Sequence, residues 1–303
     1  MRARILVLWA LPLIVLLALG VGRSRAAAAA QEKAEEAVEG GEPEDLSFPG
    51  CTNELPESLK GLADPEKQAA VRKAALERRG AAVPDLVRAL TCCDEVVRWQ
   101  AVDLLGTLAA AEAIDALLDR TLTDPGQHVR LRAAWALHQA KRDDEVRAKA
   151  MARMTQPPTP EQRWRAAALL AQFHEPACLP ILYEGLLSQD DMHRWEAAFL
   201  LRIVNDANTV GKLLPLAKDP SATVREQLLV TLASVGDAKA VPTIVPMLDD
   251  PEPTVRARAG FALAKLGDAS VLPALEARLA KEQDAMARTL MRHAITQIRK
   301  RAQ

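Results

Sequence analysis

The chain has 303 residues, 49% of them apolar but only 3% aromatic, and its 39 lysines and arginines nearly cancel its 40 acids. That length exceeds one ordinary compact core unless the fold is built from repeated units, and so few rings exclude a ring-filled interior in favour of helices packed closely over alanine and leucine. Nucleic-acid binding normally needs a clear basic excess to displace counterions, so the even balance argues against it.

The first segment, residues 1–30, stands apart from the rest. Met1-Arg2-Ala3-Arg4 is basic, Ile5 to Val21 is a nearly unbroken apolar run of 17 residues, and Ala26 to Ala30 offers an A-x-A site. This is the layout of a secretory signal peptide. The run also reaches the lower edge of a bilayer span, so an uncleaved membrane tether through residues 5–21 is the alternative, although Arg23 and Arg25 would then lie on the exported side, against the positive-inside bias. Either way the body is expected outside the cytoplasm of a bacterial-type cell, periplasmic or held at the outer face of the inner membrane.

Residues 31–50 read as an acidic tether. Glu32, Glu35, Glu36, Glu39, Glu42, Glu44 and Asp45 face Lys33 alone, and Gly40-Gly41 and Pro43 interrupt the stretch. Such a segment cannot bury enough apolar surface to fold by itself. From residue 51 to 303 the basic and acidic residues number 34 and 33.

The body, residues 51–303, is organised by one recurring motif, clearest as Val255-Arg256-x-x-Ala259-x-x-x-Leu263. Its arginine falls at Arg72, Arg98, Arg130, Arg163, Arg194, Arg225, Arg256 and Arg288, at intervals of 26, 32, 33, 31, 31, 31 and 32 residues. Offsets −1, +3 and +7 from each arginine share one helical face. A breaker precedes each such helix, often Asp-Pro (Asp64-Pro65, Asp124-Pro125, Asp219-Pro220, Asp250-Pro251), with Asp suited to a helix start and Pro to its first turn. Upstream runs a second amphipathic helix, frequently opened by Pro84, Pro180, Pro242 or Pro273, and Gly80, Gly106, Gly236 and Gly267 are expected to supply left-handed exits. Each unit is therefore helix A, turn, helix B and a short link, with no strand signal.

The run from Gly236-Asp237 through Val241-Pro242, Leu248-Asp249-Asp250-Pro251 and Val255-Arg256-x-x-Ala259 to Leu266-Gly267-Asp268 resembles the HEAT-like repeat of the phycobilisome-lyase type. The likeness covers about residues 54–301 and is tightest at 206–280. It implies an all-α fold, an α-solenoid of about eight helix pairs with the B helices on the concave side. Stacking is then what hides the apolar face that an isolated unit would expose.

Candidate chemistry is sparse. The arginine ladder is structural on this reading: each guanidinium bonds turn carbonyls and the Asp of its own or the next repeat. Among five histidines, only His174-Glu175 forms a pair like those that hold the di-iron centre of deoxyhypusine hydroxylase, and one pair cannot furnish such a ligand set. No metal, cofactor or catalytic residue is expected. The spacing of Cys51, Cys92, Cys93 and Cys178 matches no zinc pattern. Outside the cytoplasm a disulfide from Cys51 to either Cys92 or Cys93 would staple the start of the fold to its first full repeat.

The tryptophans stand out. Trp99, Trp164 and Trp195 occupy offset +1 from a ladder arginine and Trp135 offset +5; Phe199 and Phe261 also sit at +5, and Leu131 at +1. At 100° per residue these positions lie about 160–200° from the core-facing alanine at +3, with Arg132 and Arg165 flanking them at +2. Two arrangements follow: an aromatic stripe open to a groove along the B helices, the material of binding hot spots, or rings folded sideways to seal the seams between repeats. The expected function is a non-catalytic scaffold or adaptor outside the cytoplasm, binding a protein or peptide segment on the concave face. The alternative, implied by the resemblance, is an enzyme of the bilin-lyase-like or metal-dependent hydroxylase-like branch.

Overall fold

The computed structural model describes residues 48–157 and 159–303, so the leader and nearly all of the acidic tether lie outside the described residues. Among the described residues the fold is all-α, an α-solenoid built of helix pairs, and the one strand-like feature is an isolated bridge between Thr52 and Cys92. No helix among them is long and apolar enough to cross a membrane. The described residues divide into two compact units, one up to Val146 and one from Arg147 on.

In the first unit the helices are α1 Gln68–Arg78, α2 Val83–Ala89, α3 Glu95–Thr107, α4 Ile114–Thr123, α5 Gln127–Gln139 and the start of α6 Asp143–Thr155. Here α1, α3 and α5 are B helices and α2 and α4 are A helices; α3 packs on α5 and α4 on α5. The core follows the motif: Val97, Ala101 and Leu105 on α3 and Val129, Ala133 and Leu137 on α5 are buried, as are Leu117, Leu118 and Leu122 of α4. Each fully buried leucine or valine stabilises the fold by about 1.5–3 kcal/mol.

The second unit holds α7 Pro160–Gln172, α8 Leu179–Gly185, α9 Asp191–Val204, α10 Val210–Leu213, α11 Ala222–Val235, α12 Val241–Ile244, α13 Pro253–Leu266, α14 Leu272–Leu279 and α15 Ala285–Arg301. The B helices α9, α11, α13 and α15 pack in sequence, each on the next. Pro180, Pro242 and Pro273 sit in the first turns of their A helices as the pattern requires. Two A helices are shorter than expected: α10 and α12 hold one α-helical turn and then tighten to 3-10 helix over Leu214–Lys218 and Val245–Asp249. Pro215 and Pro246 explain this, since each removes a backbone donor within the helix.

Two expectations about helix ends are corrected. The left-handed exits belong to Arg79, Ala109, Lys141, His174 and Asn205, none of them glycine. Gly236 and Gly267 end their helices at φ −75° and −76°, in extended backbone, and are small because a Cβ would press on the carbonyl oxygens of Leu232 and Leu263. The Asp of each Asp-Pro breaker also stands outside its helix rather than capping it directly. Asp124, Asp219 and Asp250 accept the amide N–H of Gly126, Ser221 and Glu252, the cap residues two positions on, at 2.9 Å in each case. Asp94 and Asp190, with no proline after them, do serve as caps.

Of the two disulfide alternatives the fold holds Cys51–Cys93, with Cα atoms 5.0 Å apart and a sequence separation of 42. Cys92 and Cys178 are buried thiols; burial raises both, Cys178 to about 12. The disulfide pins the segment that begins at Phe48, whose ring lies beneath the guanidiniums of Arg98 and Arg120 at 5.2 and 4.7 Å.

Candidate functional site

The ladder arginines act between repeats. Arg98 donates Nε to Asp124 Oδ2 at 2.9 Å and Nη2 to Oδ1 at 3.1 Å, while Nη1 reaches the carbonyls of Cys92 and Cys93 in its own turn. Arg194 repeats the arrangement on Asp219, Arg225 on Asp250 and Arg256 on Glu282, each with Nη1 on two carbonyls of its own A–B turn. The acid is thus shared: it orders the start of the next B helix and receives the fork of the preceding arginine. These bonds shift the ionisations as expected. The bond to Asp250 raises Arg225, the bond to Glu282 raises Arg256, and the bond from Arg256 holds Glu282 down at about 2 despite burial.

The ladder is irregular elsewhere. Arg130 bonds the carbonyls of Asp124 and Pro125. Arg163 instead reaches Glu184 at 2.9 Å, with 40% of its side chain exposed. The acid register, 25 or 26 residues on, is filled by Thr155-Gln156 after Arg130 and by Ser188-Gln189 after Arg163, so no carboxylate stands there. Arg72 turns to Asp103, and Arg288 is exposed on α15.

On the B-helix face of the first unit, Asp103 of α3 is only 4% exposed and lies between two guanidiniums. Arg72 of α1 gives Nη2 to its Oδ2 at 2.5 Å and Nη1 to Gln100; Arg132 of α5 gives Nε to its Oδ1 at 2.7 Å and Nη2 to the same oxygen. Arg132 also lies over the rings of Trp135 and Trp99, at 3.6 and 5.7 Å from their centroids. The Trp135 ring rests on Gly106 of α3, where a Cβ would collide with it. Both tryptophans are half-buried, and Leu131 is 44% exposed. Arginine, ring and aspartate therefore form one cluster on three successive B helices. Sequence spacing identified Trp99, Trp135 and Arg132 and placed Arg72 in the ladder, but missed Asp103 and the bond that joins Arg72 to it. An acid at offset +5, where Trp135, Phe199 and Phe261 stand in three other repeats, was the available signal.

The second unit divides the remaining stripe residues. Trp164 is only 7% exposed: its ring fills the space left by Gly185, tilts against His193 at 4.0 Å and donates Nε1–H to Glu196 at 3.0 Å. It seals a seam and is withdrawn from the open stripe. Arg165 pairs at 2.8 Å with Glu161 on its own helix. Trp195 and Phe199, half-buried on α9, stack at 5.5 Å, and Arg202 extends the stack over the Phe199 ring at 5.0 Å. The Nε of Arg202 is buried without an acceptor among the described residues, and burial lowers its ionisation. Phe261, half-buried on α13, has Lys265 over its ring at 5.9 Å.

His174, the histidine of the lone His-Glu pair, sits at a left-handed helix exit with Nδ1 2.7 Å from the carbonyl of Ile203. Among the described residues no three His, Cys, Asp or Glu side chains gather as metal ligands.

The family model for HEAT repeats matches residues 55–138 and 210–296. The unmatched stretch between them contains both registers that lack the acid. No curated protein matches the chain in sequence. Among solved structures, that of YibA from Escherichia coli is 20% identical with a TM-score of 0.55, over 80% of this chain and 92% of that one; at that identity it bears on the fold alone. Human deoxyhypusine hydroxylase in complex with glycerol is 21% identical (TM-score 0.36, 80% of this chain, 95% of that one). The complex of CpcE and CpcF of phycocyanin lyase from Nostoc sp. PCC7120 is 16% identical (TM-score 0.40, 71% and 94%). With more than half of its length matched by the repeat model, and helix pairs stacked B helix on B helix, this chain belongs to the HEAT-repeat family.

Proposed function

We propose that the chain is a non-catalytic scaffold or adaptor that acts outside the cytoplasm and holds a segment of another protein along the face of its B helices. The observation that carries this reading is the placement of half-buried aromatic rings with arginines stacked on them: Arg132 on Trp99 and Trp135, and Arg202 on Phe199 beside Trp195. A merely solvated face would carry flexible polar side chains. Rigid rings beside guanidiniums supply contact area at low entropic cost and dominate protein interfaces. Export is supported by the apolar leader, by the A-x-A site at its end and by the Cys51–Cys93 bond, a linkage that persists in oxidising compartments.

The test replaces Trp99 and Trp195 with alanine. The variant is expected to keep its helical circular dichroism and melting temperature within a few degrees while losing partner capture from an envelope extract. Loss of capture without loss of fold supports the reading; full capture by a folded variant refutes it.

A further inference from the structure

On the B-helix face of the first unit one buried carboxylate stands between two guanidiniums. Arg72 and Arg132 share the single carboxylate of Asp103. Arg132 spends Nε and Nη2 on Asp103, and Arg72 spends its two Nη groups on Gln100 and Asp103, which leaves Arg132 Nη1 and Arg72 Nε without acceptors among the described residues. Both side chains remain about a quarter exposed, at 24% and 27%. Arg72 also lines an open groove of about 760 Å³ along α1, together with Gln68, Lys73, Leu76, Glu77 and Arg79. That groove holds three cations against one acid, Glu77, which lies 3.9 Å from Lys73 in an exposed and therefore weak pair, all within about 10 Å of helix.

We propose that this cluster and groove bind a carboxylate-rich segment of a partner protein, with the partner's acids on Arg72, Arg132 and Lys73 and its apolar side chains against Trp99, Leu76 and Trp135. The inference rests on the scaffold reading above and names the chemistry of its partner. Guanidinium recognises carboxylate in plane through paired N–H donors. Asp103 and the tryptophan faces already hold Arg132 in place, so little side-chain entropy remains to be lost on binding. Charge complementarity selects acid over base, and the rings select a segment with apolar residues over a free anion.

The experiment uses the full chain and a probe peptide of alternating glutamate and leucine, with a twin carrying glutamine at every glutamate. Binding is followed by tryptophan fluorescence and by crosslinking from position 131. The acidic probe is expected to bind, to lose affinity as salt rises, and to bind about tenfold or more tightly than its twin. Arg72→Gln and, separately, Lys73→Glu are each expected to weaken it about tenfold; Lys73 is exposed, so its variant keeps the fold. Undiminished binding in both folded variants overturns the proposal. Equal binding of the twins overturns the acidic chemistry yet leaves the scaffold reading standing, whereas failure of both peptides and of every envelope protein to crosslink at position 131 removes that reading as well. A tenfold gain on deleting residues 32–45 would mean that the chain's own acids occupy the site, and would overturn the partner assignment.

Discussion

Arg98 and Asp124 form a two-bond ion pair, at 2.9 and 3.1 Å, with no solvent exposure on either side chain. Twenty-six residues separate them, so the pair joins one repeat to the next while each partner also fixes the turn it stands in. Two buried charges are costly to desolvate, and the pair persists because its donors and acceptors are satisfied by one another and by turn groups. Removing Asp124 leaves the buried Arg98 on turn carbonyls alone, and removing Arg98 leaves the buried Asp124 with only Arg120, 3.6 Å away, in place of a two-bond fork. Arg98→Ala or Asp124→Ala is expected to lower stability by about 3–5 kcal/mol, measured by urea unfolding, with coupling in the double-mutant cycle. Arg163→Ala removes a pair whose side chains are 40% and 62% exposed and is expected to cost no more than about 1 kcal/mol. Equal losses at the two sites would refute the distinction drawn between them.

Glu282 gives the ladder a signature in acid. Its ionisation lies at about 2, chiefly because Arg256 bonds it, against 4.5 for an ordinary glutamate. A carboxyl depressed in the folded state adds stability that is present above pH 4.5 and is lost as pH falls toward 2. The amount at neutral pH is about 3 kcal/mol. Glu282→Gln should flatten the stability profile over that window, as read by denaturant midpoints at successive pH values. An unchanged acid limb would contradict the assignment.

Gly106 and Gly185 are tied to the tryptophans. Alanine favours a helix over glycine by about 1 kcal/mol, yet Gly106→Ala is expected to destabilise by about 1–3 kcal/mol because its methyl meets the Trp135 ring. Adding Trp135→Ala should convert the alanine from harmful to favourable. Loss of the same energy in both backgrounds would show that the ring does not set the requirement for glycine.

The Cys51–Cys93 loop spans 42 residues. By chain-entropy arguments its closure stabilises by about 4 kcal/mol, so Cys51→Ser should lower the melting temperature of the oxidised protein and abolish its response to reductant. A variant that melts with the parent would contradict this.

Much of the fold was legible in the sequence because the repeat writes one residue type at one offset. The eight arginines located the B helices, and buried Val97, Ala101 and Leu105 follow the expected face. The acceptors were half legible. Asp124, Asp219 and Asp250 stand in visible Asp-Pro breakers, whereas Glu282 does the same work without a proline and with a longer side chain. The stripe was read from angle alone. Angle places Trp164 and Trp195 alike, since both hold offset +1, but cannot show that Gly185 leaves a hollow for one ring while the other stacks on Phe199. Close contact between helices decides a ring's fate, and a single helix's periodicity does not contain it. For the same reason Arg72 reaching across to Asp103 escaped the ladder pattern.

The proposed scaffold function requires partners to meet the face of the B helices. A photo-crosslinking residue placed at position 131, on the exposed B-helix side, and at position 112, exposed at the entry to an A helix, compares the two sides directly in cells. A discrete adduct is expected from position 131 that disappears with Trp99→Ala, and none from position 112. Adducts from position 112 alone, or adducts from position 131 that survive loss of Trp99, would contradict it.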